Sequence, residues 1–227
     1  MRQLRKSTGS ESLEPTARPK TLRRRRELLS VVYSCISEYG IDGVSMRQIA
    51  EAAQISTGTI NYHFENKHNL IIAALEAAYA LPSDWETYRG SPLAQLQRLA
   101  MGHVCLHGRE RFWRFWMNYV AHASRDEEMR RHLEDRDQRQ QAFWTSLLRD
   151  GVAAGEVRPE LDPARTAERL LLLARGLVVR QIQSPSAAVR EHAQVVLEEF
   201  FDDLRVPGVK APTSTAERWP SPKTSVW

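Results

Sequence analysis

The chain has 227 residues, 42% of them hydrophobic, which is enough apolar material to build a core without disulfides. Its 32 Lys and Arg against 28 Asp and Glu leave a formal net charge of only +4. No apolar run of about 18 residues occurs, and no apolar segment follows the basic start, so we expect neither a membrane span nor a secretory signal. We therefore expect a cytoplasmic protein.

Positive charge is concentrated near the N-terminus. Residues 1–19 are polar and rich in Ser, Glu and Pro, and we predict a disordered basic arm there. Through Arg26, only Glu11 and Glu14 oppose nine basic side chains. Such an arm suits a polyanion, either nucleic acid or an anionic membrane, although a solvated tail has the same composition. Residues 206–227 are rich in proline, and we predict a second disordered tail.

Between these tails the hydrophobic spacing is helical, and no strand-like alternation of useful length occurs, so we predict an all-α fold. Leu28, Val32, Ile36 and Tyr39 fall on one face of a first helix, which Gly40 ends.

Two short helices follow in close succession. Ser45 begins a capping box, and Ser56 caps the next helix, in which Ile60 and Phe64 face inward. Two helices joined by a tight turn have the geometry of a helix-turn-helix, whose second helix lies in the DNA major groove. We assign this three-helix DNA-binding domain to residues 20–65.

The side chains left outside on the second helix are short polar groups and two aromatic rings, which suit base edges, phosphates and thymine methyl groups. We predict DNA contacts by Ser56, Thr57, Gly58, Thr59, Asn61, Tyr62 and His63, by Ser45 and Arg47 before them, by Lys67 after them, and by Arg23 and Arg24. The alternatives are a helical hairpin with no DNA role and, for the arginines, a solvated helix start.

Three segments resemble the DNA-binding domain of the TetR family of regulators: Ser45-Met-Arg-Gln-Ile-Ala-Glu-Ala-Ala, Ile55-Ser-Thr-Gly-Thr-Ile-Asn-Tyr-His-Phe64 and Asn66-Lys67. The likeness covers residues 20–80. It departs at Gln54, where family members usually carry glycine in the turn. We expect a left-handed or nearly left-handed backbone at Gln54, which costs on the order of 1 kcal/mol.

The resemblance implies that a second domain, residues 66–205, binds a small molecule and dimerises. The helix that begins at Asn66 connects the two domains, so we expect it to transmit the ligand signal. The last two helices carry broad apolar faces on which Ala174, Gly176 and Ala193 permit close approach. Two such helices from each subunit would form a four-helix bundle in a homodimer; the alternative is packing within one chain.

An unusually aromatic helix, residues 111–119, suits a pocket for a flat or cationic ligand. Our ligand-binding candidates are Trp85, His103, His107, Trp113, Trp116 and Tyr119. The alternative is that these side chains fill the core. We expect no metal and no cofactor, because the one pair with ligand spacing, His103 and His107 at i, i+4, is more often a solvated helix face.

We therefore predict a ligand-responsive repressor that binds a near-palindromic DNA operator as a homodimer. The general layout also resembles the betaine-pathway repressors of the TetR family. Other hypotheses are an activator or ligand-independent regulator of the same fold, and a membrane-surface protein that uses the basic arm. An enzyme has little support, because the sequence has no nucleophile elbow, glycine-rich phosphate loop or metal cluster.

Overall fold

The computed structural model describes residues 19–78, 90–104 and 110–208. These ranges contain nine α-helices: α1 (Pro19–Tyr39), α2 (Met46–Ala52), α3 (Thr57–Phe64), α4 (Lys67–Ala78), α5 (Pro92–Val104), α6 (Glu110–Ala123), α7 (Glu127–Ala153), α8 (Pro163–Gln183) and α9 (Ala187–Leu204). Within the same ranges the only extended pairing is an isolated bridge between Val157 and Arg205. The all-α prediction is confirmed.

The predicted helix starts in the DNA-binding domain are present. The Ser45 hydroxyl accepts from the Gln48 backbone N–H, and the Gln48 side chain accepts from the Ser45 backbone N–H at 2.8 Å. The Ser56 hydroxyl accepts from the Thr59 backbone N–H at 3.1 Å. Both caps satisfy backbone donors that a helix start otherwise leaves without partners.

One hydrophobic core joins α1–α4 to α6. The side chains of Val32 and Ile36 are fully buried in it, and the Tyr33 ring stacks on Phe115 of α6 with centroids 5.3 Å apart. Tyr39 departs from its predicted place on the buried face, since it ends α1 and is 62% exposed. The predicted DNA-binding unit, α1–α3, therefore rests directly on α6, besides being connected through α4.

A second core joins α5, α7, α8 and α9. Its buried side chains include Leu96, Trp144, Leu170, Leu197 and Phe201. Asp126 and Asp162 cap α7 and α8 through their carboxylates, and Pro163 occupies the first turn of α8.

Two of the predicted domain limits fall near the ends of described elements. Helix α1 begins at Pro19, the last residue of the predicted arm, and the Val206 backbone N–H at the start of the predicted tail donates to the Glu156 carbonyl at 3.1 Å. The remainder of the arm and residues 209–227 lie outside the described residues. None of the described helices is both long and apolar enough to cross a membrane.

Candidate nucleic-acid interface

The turn between α2 and α3 is tight and contains a left-handed residue. Gln54 has φ +54°. A positive φ is expected here, because the proteins that this segment resembles usually carry glycine at this position of the turn. The Ile55 backbone N–H donates to the Ala50 carbonyl at 3.0 Å and closes the turn. This geometry leaves Ser56 extended at the start of α3, where its hydroxyl acts as the cap.

Helix α3 has one buried and one exposed face. Ile60 and Phe64 are buried, whereas Gly58, Thr59, Asn61, Tyr62 and His63 are exposed and Thr57 is half-buried. Tyr62 is 85% exposed, although aromatic rings usually cover apolar surface. A Cβ built on Gly58 would meet nothing closer than the Ser56 hydroxyl at 3.7 Å, so packing within the chain does not require glycine there. All the predicted outward residues of α3 except Thr57 are therefore exposed.

Two of the residues predicted to contact the DNA backbone lie at the start of α2. Ser45 and Arg47 are exposed at the start of α2, and the Arg47 guanidinium pairs with Glu51 at 2.9 Å. Exposed ion pairs of this kind contribute little free energy, so a phosphate can replace Glu51 as the partner of Arg47.

Lys67 has a partner inside the chain. Its ammonium group donates to the Ile41 carbonyl at 2.5 Å and ties the start of α4 to the turn after α1. Partial burial lowers the pKa of Lys67, because the charged ammonium loses hydration. Any phosphate contact by Lys67 must compete with this bond.

The arginine run serves several contacts. Arg23 pairs with Glu27 at 2.8 Å, Arg24 is exposed, and the guanidinium of Arg25 lies over the Phe64 ring, 5.3 Å from its centroid. The contact of Arg25 with the end of α3 was not predicted. This cation–π contact holds the N-terminal part of α1 against the end of α3.

The structure brings three of the six ligand candidates into contact and buries a fourth, Tyr119, further along α6. Trp113 and Tyr119 are fully buried, and Trp116 and His103 are nearly so. The Trp113 ring contacts His103 at 4.4 Å and Trp116 at 5.5 Å between centroids. Trp85 and His107 lie outside the described residues. We call His103, Phe112, Trp113, Trp116 and Tyr119 the aromatic cluster.

Polar groups reach this aromatic cluster from α7 and α8. Arg175 places its guanidinium 5.7 Å from the centroid of Trp116 and donates to Asp137 at 2.5 Å. The buried indole N–H of Trp113 has no hydrogen-bond acceptor within the described ranges. In those ranges no group of three or more His, Cys, Asp or Glu is arranged to hold a metal ion.

Comparisons with known proteins agree with this arrangement. Residues 28–74 match the family described as bacterial regulatory proteins, tetR family, and residues 92–206 match the BetI-type transcriptional repressor C-terminal family. The HTH-type transcriptional repressor KstR2 of Mycobacterium tuberculosis is 29% identical over 145 residues, which are 61% of this chain and 72% of that protein.

Solved structures share the fold. A TetR-family transcriptional regulator from Rhodococcus sp. superposes with a TM-score of 0.70 at 26% identity, covering 80% of this chain and 98% of that one. A transcriptional regulator from Saccharomonospora viridis, solved in complex with choline, gives a TM-score of 0.69 at 22% identity and covers 80% of this chain and 96% of that one.

Proposed function

Because this chain belongs to the TetR family of bacterial transcriptional regulators, we propose that it is a ligand-responsive repressor that binds a near-palindromic operator as a homodimer. The observation that carries this proposal is the exposed surface of α3 beside its buried Ile60 and Phe64. A helix presented in this way fits the major groove, where it can read base edges. We place this activity in the cytoplasm, where bacterial chromosomal DNA lies.

We assign distinct roles to the predicted DNA contacts. Thr57, Gly58, Thr59, Asn61, Tyr62 and His63 would face base edges and the sugar-phosphate walls of the groove. Ser45, Ser56, Arg47, Lys67, Arg23 and Arg24 would position the unit through phosphates. Support for this division comes from exposure, since five of the six α3 residues are exposed and Arg23, Arg24 and Arg47 are exposed on the neighbouring helices α1 and α2.

The outer faces of α8 and α9 support dimerisation. Leu172 is 62% exposed and Val195 47% exposed, and a Cβ built on Gly176 would meet no atom within 4 Å. Glycine inside a helix costs about 0.5–1 kcal/mol relative to alanine, so an open glycine there suits close approach by another helix.

The charges of these two helices are complementary. Helix α8 carries four arginines and one glutamate, whereas α9 carries five carboxylates and one arginine. An isologous dimer that packs α8 against the α9 of its partner would bring opposite charges together around an apolar centre. Two DNA-binding units joined in this way can occupy half-sites about 34–36 Å apart.

We propose that the aromatic cluster receives the effector. Aromatic faces attract organic cations, and Trp116 already holds the guanidinium of Arg175 over its ring. A quaternary ammonium compound would compete with Arg175 for this ring, so choline is the first probe. Choline should change the tryptophan fluorescence of the chain, and Trp116→Leu should remove that change. An unchanged response in Trp116→Leu would place the effector elsewhere.

Operator selection tests the DNA-binding proposal. Duplexes bound from a random pool should converge on a near-palindrome, and Tyr62→Ala should lose that enrichment while keeping its stability, since Tyr62 packs against little. Tyr39→Ala is the matched control, because Tyr39 is also exposed but lies off α3. If no sequence is enriched, or if Tyr62→Ala selects the same sequence, α3 is not the reading helix.

A further inference from the structure

Several histidines lie at the boundary where α1–α4 meet α6 and α7. Each of them faces a carboxylate on the other side of this boundary. On α4, His68 has Nδ1 3.4 Å from an Asp126 oxygen and Nε2 3.2 Å from a Glu128 oxygen. On α6, His122 has Nδ1 3.3 Å from an oxygen of Asp42, in the turn after α1.

A third histidine connects α4 to the aromatic cluster. His132 on α7 has Nε2 2.8 Å from Glu76 of α4, and its Nδ1 lies 3.0 Å from the Tyr119 hydroxyl. Arg139 also contacts Glu76, at 3.1 Å. His132 therefore contacts both the aromatic cluster and the helix that leads to the DNA-binding unit.

One carboxylate of this boundary, Asp126, is held in the charged form. The Met129 backbone N–H and then the nearby His68 and His122 lower the pKa of Asp126. Arg125 lies 3.6 Å from Asp42 and pairs with it, and the Lys67 ammonium is close enough to Asp42 to interact with its charge. Each of the three imidazoles keeps 16% to 25% of its surface exposed, so protons can reach them.

We propose that His68, His122 and His132, with Asp42, Glu76, Asp126 and Glu128, form a proton-dependent clasp between the two parts of the chain. In this histidine clasp, protonation holds α4 and the turn after α1 against α6 and α7. Because these contacts set the position of the DNA-binding unit, protonation also changes operator affinity, a consequence that rests on the proposed function.

Charge gives the clasp its pH dependence. An imidazolium attracts a carboxylate, whereas a neutral imidazole offers it one hydrogen bond at most. Loss of a proton from any of the three imidazoles therefore removes an attraction across the boundary. The clasp is stronger at the lower pH.

Protonation of His132 also changes Tyr119. When His132 is neutral and donates to Glu76 from Nε2, its Nδ1 accepts from the Tyr119 hydroxyl. When His132 is protonated, Nδ1 donates instead, and the Tyr119 hydroxyl can donate to the Met129 carbonyl at 3.5 Å. An event at the aromatic cluster and the charge on His132 are thus coupled.

Thermal unfolding of the full chain at fixed protein concentration tests the clasp without DNA. The wild-type midpoint should fall by about 5 °C between pH 6 and pH 8. The variant His68→Gln/His122→Gln/His132→Gln should lose at least half of this fall, and so should Asp42→Asn/Glu76→Gln, which keeps every histidine.

A matched control separates the clasp from ordinary histidine titration. His63 is exposed on α3, and the described residues provide no carboxylate partner for it. His63→Gln should keep the wild-type pH dependence. Equal pH dependence in the wild type and in Asp42→Asn/Glu76→Gln would overturn the clasp, and because these acids are partly exposed that variant should fold.

Operator titration tests the regulatory part. The ratio of the dissociation constants at pH 6 and pH 8 should differ between the wild type and Asp42→Asn/Glu76→Gln by about fivefold or more. Equal ratios would leave a clasp that stabilises the chain but does not regulate it, which contradicts the proposal. If selection yields no operator, the proposed function fails, and the unfolding experiment still decides whether the clasp exists.

Discussion

Two residues between α2 and α4 have left-handed backbones although neither is glycine. Gln54 has φ +54° and Glu65 has φ +62°. The strain at Gln54 could be predicted, because the likeness to the TetR family placed a glycine at that position. The strain at Glu65 could not, since nothing in the local sequence marks the residue after Phe64 as the irregular end of α3.

Relief of this strain gives a prediction at the residue scale. Gln54→Gly should raise the free energy of unfolding by about 0.5–1 kcal/mol, the left-handed penalty less the entropy that glycine adds to the unfolded chain. Urea denaturation measures it. The control Ala53→Gly changes the preceding residue, which has φ −83°. It should instead lower the free energy of unfolding by about 0.5–1 kcal/mol. If both variants move in the same direction, backbone strain at Gln54 is not the cause.

Helix α3 shows how function and stability oppose each other at the element scale. Alanine favours a helix more than glycine does by about 1 kcal/mol, and within the chain a methyl group at Gly58 would make only an ordinary contact with the Ser56 hydroxyl, at 3.7 Å. Gly58→Ala should therefore stabilise the protein by up to about 1 kcal/mol while weakening operator binding, because the added methyl lies on the surface that we propose faces DNA. Denaturation and operator titration of the same preparation check both effects. Unchanged affinity would remove Gly58 from the interface.

The cap of α7 gives a pH-dependent prediction. The pKa of Asp126 is lowered, first by the Met129 backbone N–H and also by nearby histidines, so its stabilising charge is present above about pH 4 and lost as the pH falls further. Asp126→Asn keeps the cap but loses the charge. The variant should be about 0.5–1 kcal/mol less stable than the wild type at pH 6, and this difference should close as the pH falls through the lowered pKa of Asp126. A gap that persists at low pH would mean that packing, not charge, is responsible.

Most elements could be predicted from the sequence, because caps and hydrophobic spacing are local signals. Ser45 and Ser56 begin their helices as expected, and α7 and α8 start after Asp126 and Asp162. The hydrophobic spacing of a helix does not reveal which other element its buried face contacts. The histidine–carboxylate contacts and the bond from Lys67 to Ile41 join residues that are distant along the chain, so they depend on tertiary packing.

At the scale of the whole molecule, the outer faces of α8 and α9 give the prediction. Leu172→Asp should convert the proposed dimer to monomers, because it places a charge at the apolar centre of the proposed interface. Sedimentation velocity measures the change in mass. Tyr39→Asp is the matched control, since Tyr39 is equally exposed, at 62%, on another part of the surface. A dimer that survives Leu172→Asp would require a different interface.

The packing of α6 on α1 also determines how this protein can be divided. Besides the Tyr33–Phe115 stack, the Ser37 hydroxyl donates to the Arg111 carbonyl at 2.7 Å, so α6 completes the core of the DNA-binding unit. A fragment cut after α4 would leave the α1 side of that core open to water. Chimaeras that exchange DNA specificity between relatives should therefore transplant α6 together with α1–α4, or change only the exposed residues of α3.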